Sequence, residues 1–168
     1  MEIIASAPAQ MGPCEIGDWA ARVEQIGFDT IHISETIHDP FTIATLALTH
    51  TTRVTVRTSM ALAFPRSPMI TAYVAWDLAK YSESRFQLGI ASQVRGNIVP
   101  MHLTDEVMNR VIPQGTYEEI PTVLTERYSG LCHGLCLPVA QDDTYDNHFA
   151  ELVERCKAIP IAREPTPF

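Results

Sequence analysis

The feature that most narrows the fold is an alternation running through residues 3–91. Short apolar runs at 3–7, 30–33, 53–60 and 86–91 read as strands, and the segments between them carry apolar residues at three- and four-residue steps. Ile16, Trp19, Ala20, Val23 and Ile26 form one helical stripe, closed by Gly27, a residue that readily adopts the left-handed conformation of helix ends. Asp39 and Pro40 open the next helix as cap and first residue, with Ile43, Leu46, Ala47 and His50 along one side. Ser67 and Pro68 open a third, which carries Ile70, Val74, Trp76, Leu78 and Tyr81. This order predicts an α/β chain built from βα units around a parallel sheet, with right-handed crossovers. Periodicity leaves both a barrel and an open doubly wound sheet available. The first βα loop lacks GxGxxG, and the chain has no P-loop.

Residues 94–103 break the pattern and read as a linker. Thr104-Asp105-Glu106 opens a short helix to about residue 111, and Thr116 with Glu119 makes a T-x-x-E capping box for a helix to about Tyr128. Pro121 predicts a delayed start or a kink in that helix. Residues 131–139 read as a strand weakened at Gly134; Phe149, Leu152, Val153 and Cys156 stripe a last helix. The reading is one domain over 1–159 and a proline-rich tail over 160–168.

Composition removes several functions. A net charge of -8 and a pI near 5.1 leave no cationic face for nucleic acid or an anionic membrane. No apolar run approaches the roughly 18 residues of a membrane span, and the first ten residues carry Glu2 and no basic segment, so a cytoplasmic location is expected. Cys14, Cys132, Cys136 and Cys156 follow no CxxC pattern and are expected to be reduced, mostly packed thiols. Cys132, His133 and Cys136 would alternate faces along one strand, so no metal site is expected. Ser34 lacks the G-x-S-x-G elbow of a hydrolase.

Chemistry concentrates in Ile33-Ser34-Glu35-Thr36-Ile37-His38-Asp39-Pro40-Phe41, a strand-to-helix junction dense in Glu, His and Asp. Glu35 and His38 are its ionisable candidates, His38 because an imidazole exchanges protons near neutrality. The alternative is that both hydrogen-bond the Asp39-capped helix.

Gly27-Phe28-Asp29, Ser34-Glu35-Thr36, His38-Asp39-Pro40-Phe41, Arg57-Thr58-Ser59-Met60, Arg66-Ser67-Pro68, Ala75-Trp76-Asp77-Leu78 and Arg85-Phe86-Gln87-Leu88-Gly89, in that order, resemble the N-terminal half of bacterial luciferase-like monooxygenases. The likeness is to their deazaflavin (coenzyme F-420)-dependent oxidoreductase branch. Leu103-Thr104-Asp105-Glu106-Val107 and Glu126-Arg127-Tyr128-Ser129-Gly130-Leu131 resemble that family's C-terminal end. The resemblance implies a TIM-type (β/α)8 barrel, a fold of about 250 residues. In this chain of 168, residues 3–91 would supply strands one to four and 131–139 strand eight, with units five to seven absent at the 94–103 linker. Strand eight neighbours strand one in a closed barrel, so an incomplete barrel is expected, with about five parallel strands in the order 8-1-2-3-4 and helices on the outer face. Its two open edges predict a homodimer that covers the open side, edge to edge or through the inner faces.

The resemblance also places a cofactor across the C-terminal strand ends, coenzyme F-420 first and FMN second, with a chain that binds neither left open. Ser34, Ser59, Met60 and Gln93 would contact it, with a non-proline cis peptide at Ser59-Met60 behind the ring. Glu35 stands where deazaflavin-binding relatives often place an acidic residue, and it would be catalytic together with His38, which would replace a family histidine at the position that Thr36 fills; Ala91 departs from the family's glycine. Arg57, Arg66 and Arg95 are the candidates for its phosphate, or else paired surface groups. Two functions follow: hydride transfer between a deazaflavin or FMN and an organic substrate, or a non-catalytic relative that binds a ligand or assembles with itself.

Overall fold

The computed structural model describes residues 1–63, 65–91, 113–139 and 143–162. Their elements are β1 (Glu2–Ser6), α1 (Ile16–Ile26), β2 (Thr30–Ile33), α2 (Pro40–Thr49), β3 (Thr55–Thr58), β4 (Ala61–Leu62), α3 (Pro68–Tyr81), β5 (Phe86–Gln87), β6 (Ile90–Ala91), α4 (Ile120–Tyr128), β7 (Gly134–Leu137) and α5 (Asp146–Lys157). The expected linker at 94–103, the helix at 104–111, Gln93 and Arg95 lie outside the described residues, as does the tail from 163.

Five strands form one sheet in the order β5-β3-β2-β1-β7, and every pairing is parallel. This is the expected order 8-1-2-3-4 read from the other edge, with β7 beside β1. Side chains alternate along each strand, so Ile3, Ala5, Ile31, Ile33, Val56 and Phe86 all turn to one face and are buried there. Trp19, Val23, Ile43, Ala47, Phe149 and Val153 from α1, α2 and α5 pack into the same core. The sheet and its helix layer hold the strand ends, where the candidate site lies, in fixed relation.

Local signals set the helix ends. Asp39 Oδ1 accepts the Thr42 N–H at 2.9 Å, and Ser67 Oγ accepts that of Ile70 at 3.2 Å. Gly27 closes α1 at φ 109°, a backbone region that favours glycine. The capping box forms too: Glu119 Oε2 accepts the Thr116 N–H at 2.9 Å. Helix α4 starts only at Ile120, with Pro121 in its first turn, which is the delayed start.

Four expectations need correction. The strands at 53–60 and 86–91 are each divided: β4 and β6 leave the main sheet and pair with each other, in parallel. Helix α2 buries Ile43, Ala44, Ala47 and Leu48, leaving Leu46 half-buried and His50 exposed. His50 instead lies over Gly17, where a Cβ would come within 2.7 Å of its ring. Helix α3 buries only Thr71 and Leu78, and Ile70, Trp76 and Tyr81 face solvent. Of the cysteines, only Cys156 is buried; Cys14 and Cys136 are exposed.

Candidate functional site

The C-terminal ends of β2, β3 and β5 are joined by a short series of hydrogen bonds. Ser59 N–H donates to the Ile33 carbonyl at 2.7 Å, the Ser34 hydroxyl to the Ser59 carbonyl at 3.2 Å, and Glu35 N–H to the Met60 carbonyl at 3.4 Å. The Ser59-Met60 peptide is cis, as the resemblance implied. On the other side of β3, Thr58 Oγ1 donates to the Gly89 carbonyl and accepts the Gly89 N–H, both at 2.8 Å. A Cβ on Gly89 would stand 2.0 Å from the Thr58 carbonyl oxygen, so only glycine permits this approach. The result is a ledge across three strand ends. Met60, Leu88 and Ile90, at or just beyond these strand ends, are 41%, 39% and 49% exposed.

Glu35 follows β2 and lies largely inside the protein. Its Oε2 accepts the Leu62 N–H and a guanidinium N–H of Arg66, each at 2.7 Å. The second arm of Arg66 reaches Asp39 Oδ2 at 2.7 Å, and its guanidinium stands 5.2 Å from the centre of the Phe41 ring. Burial alone would raise the Asp39 pKa, but the Thr42 N–H and Arg66 together outweigh it and hold the carboxyl below its usual range. The hydrogen bond that Arg66 donates to Glu35, opposed by burial and joined by the one it donates to Asp39, strengthens the hold of the guanidinium on its proton. One arginine thus ties the β2–α2 loop to the β4–α3 loop.

His38 points elsewhere. It is half-buried beside the β1–α1 loop, lining a small cavity with Pro8, Met11 and Ser34. The two proposed proton-handling residues therefore diverge, Glu35 towards β4 and Arg66, His38 towards β1. Ser34, Ser59 and Met60 are brought together; Gln93 lies outside the described residues.

Sequence reasoning missed a polar network on the sheet face turned away from the helices. Arg57 on β3 reaches Glu2 Oε1 on β1 at 3.1 Å, His32 Nε2 on β2 at 3.2 Å and Gln87 Oε1 on β5 at 2.7 Å. The Thr30 hydroxyl also donates to Glu2. The signal was available in the polar residues alternating with Ile3, Ile31, Val56 and Phe86, but only the register aligns them. Burial first, and the Arg57 charge second, push the His32 pKa down, against the opposing pull of Glu2. Arg57 and Arg66, two of the three arginines considered for a phosphate, are both engaged by carboxylates.

A cavity of about 860 Å³ lies away from this ledge, between α4, α5 and the end of β7, with walls that include Ile120, Leu124, Leu137, Phe149 and Leu152. Its walls place no acid–base pair together. The polar geometry at the β2 and β3 ends therefore makes the ledge the better candidate site. No helix among the described residues is long and apolar enough to cross a membrane.

A family model described as luciferase-like monooxygenase matches residues 4–112, more than half of the chain. An uncharacterized protein of Mycobacterium tuberculosis is 41% identical over 98 residues, which are 58% of this chain and 28% of that protein. An F-420-dependent glucose-6-phosphate dehydrogenase of Intrasporangium calvum is 35% identical over 94 residues, 49% of this chain and 28% of its own length. The match thus spans under a third of these curated relatives. Among solved structures, a monooxygenase of Streptomyces bottropensis superposes with a TM-score of 0.48 and 20% identity, covering 75% of this chain and 40% of its own. The oxygenating constituent of a Pseudomonas putida 3,6-diketocamphane monooxygenase, solved with FMN, gives a TM-score of 0.47 and 19% identity, covering 56% and 30%.

Proposed function

The chain belongs to the luciferase-like monooxygenase family, and from that premise we propose that it is an oxidoreductase that exchanges hydride between a deazaflavin, coenzyme F-420, and an organic substrate. FMN is the second candidate. The observation that carries the reading is the ledge itself: three strand ends locked by Ser34, Thr58 and Gly89, with Met60, Leu88 and Ile90 exposed on it. Exposed apolar side chains held at fixed strand ends suit a flat ring system, which needs an apolar wall. The similarity to an F-420-dependent dehydrogenase of Intrasporangium calvum favours the deazaflavin over FMN.

When bound, such a ring supplies the two-electron chemistry. The chain's residues do the rest. Ser34, Ser59 and Met60 would hold and back the ring; Gln93, the fourth contact implied by the resemblance, lies outside the described residues. Glu35, oriented by the Leu62 N–H and Arg66, and His38, on the side of the β1–α1 loop, would handle protons. The described arginines near the ledge do not fit the coenzyme's phosphate, because Arg57 and Arg66 already face carboxylates. That observation favours a second reading, a non-catalytic relative that binds a ring-like ligand or assembles with itself.

Titration of the protein with coenzyme F-420 and with FMN, followed by absorbance and fluorescence, tests the proposal. Saturable binding of one of them is expected at tens of micromolar, and Met60→Glu is expected to abolish it with an unchanged circular dichroism spectrum. Failure of both to bind sinks the oxidoreductase reading and leaves the second.

A further inference from the structure

The cavity of about 860 Å³ between α4, α5 and the end of β7 has no part in the ledge. Its volume falls within the roughly 300–1,000 Å³ of pockets that enclose a small organic molecule. Ile120 and Leu124 from α4, Phe149 and Leu152 from α5, and Leu137 from β7 make its walls apolar. Among the described residues that line it there is no Asp, Glu, Lys, Arg or His, in a chain with 20 acidic and 12 basic residues. The site therefore has nothing with which to neutralise a charged guest.

Two features give this apolar volume a polar anchor and a fixed wall. Strand β7 is an edge of the sheet. In its parallel ladder with β1 the His133 carbonyl accepts the Glu2 N–H at 3.0 Å, and the register gives Leu135 and Leu137 the same inward role. Gly134 and Cys136 therefore turn their N–H and C=O groups to the open edge, where no described strand meets them, and Cys136 lines the cavity. The fixed wall is Tyr117, which also lines it. Its ring meets that of Phe149 edge to face at 5.3 Å between centres, and Tyr145 and His148 stand 6.3 and 6.2 Å away.

We propose that this cavity is a binding site for an uncharged, largely apolar organic molecule with one hydrogen-bonding group, its body between α4 and α5 and that group on the Cys136 backbone. A charged ligand would give up its hydration and meet no counter-charge. An added peptide strand is the weaker occupant, because it would find only Gly134 and Cys136 to pair with before Pro138, which has no N–H. The inference stands apart from the cofactor reading, since the ledge is built from other strand ends, and either can fail alone.

Titration of the full chain with N-phenyl-1-naphthylamine, an uncharged aromatic amine whose emission rises in apolar surroundings, tests this against 1-anilinonaphthalene-8-sulfonate, the same skeleton with a negative charge. Saturable binding of the amine is expected, at least about tenfold tighter than that of the sulfonate. Ile120→Trp, which fills the cavity from a half-buried wall position, should weaken the amine by at least about tenfold with an unchanged circular dichroism spectrum. Tyr117→Lys, at an exposed position, puts a charge on the wall and should weaken it several-fold; it carries the test if the tryptophan variant does not fold. Trp76→Glu, which removes an exposed ring on α3, should leave the amine bound as before. Absence of saturable binding overturns the proposal, and so does equal affinity for amine and sulfonate. Binding that resists the cavity substitutions, or that is lost in Trp76→Glu, overturns it too, since the dye would then sit elsewhere on the surface.

Discussion

Arg66 joins two carboxylates that the chain presents 31 and 27 residues earlier, Glu35 and Asp39. Removing it leaves Glu35, whose side chain is 15% exposed, without its counter-charge, and a charged hydrogen bond of this kind contributes about 2 kcal/mol. Arg66→Ala is therefore expected to lower unfolding stability by about that amount in urea titration, and Arg66→Lys to recover part of it, since lysine cannot reach both carboxylates with one planar fork. The same substitution carries a pH signature. The Asp39 pKa is lowered in the fold, so its contribution is present above the ordinary carboxylate value near 3.8 and is lost as pH falls through the lower folded value. In Arg66→Ala the acid limb of stability should move to higher pH. The Asp39 cap and Pro40 were legible in sequence because a cap is a contact within four residues. The partners of Arg66 were not, because nothing local links the β4–α3 loop to the β2–α2 loop.

At the scale of elements, the division of two expected strands decides the shape of the ledge. Thr58 and Gly89 approach so closely that β3 and β5 end together and β4 and β6 begin a second, two-stranded sheet. Gly89→Ala would put a methyl group 2.0 Å from the Thr58 carbonyl. Overpacking against backbone costs about 3 kcal/mol, so a loss of that size in thermal or urea unfolding is expected; Gln87→Ala, at an exposed position of β5, should be tolerated far better. Sequence showed continuous apolar runs at 53–60 and 86–91, and a run alone does not reveal where a neighbouring strand interrupts it. The buried faces of α2 and α3 were misassigned for a related reason. Both helices are apolar over much of their circumference, so periodicity found helices without finding which side meets the sheet.

Across the whole molecule, one guanidinium links four adjacent strands: Arg57 contacts Glu2, His32 and Gln87 on β1, β2 and β5. The His32 pKa lies below 6.5 in the fold, first through burial and then through Arg57. The neutral form is favoured, so its contribution is present above the unfolded value of 6.5 and is lost as pH falls through the folded value. Unfolding midpoints measured from pH 7 downward should fall below about 6.5, and His32→Gln should flatten that slope. Sequence by itself determined the alternation of strands and helices, the caps that start α2 and α3, and, through the order of its motifs, a parallel sheet with the last strand beside the first. These depend on local propensity, spacing and connectivity, which a linear chain carries. Only the tertiary structure decided which arginines are engaged, that Glu35 and His38 diverge, that Gly89 locks the ledge, and which face of α3 is left in water, because each of these depends on register and on contacts between residues far apart in the chain.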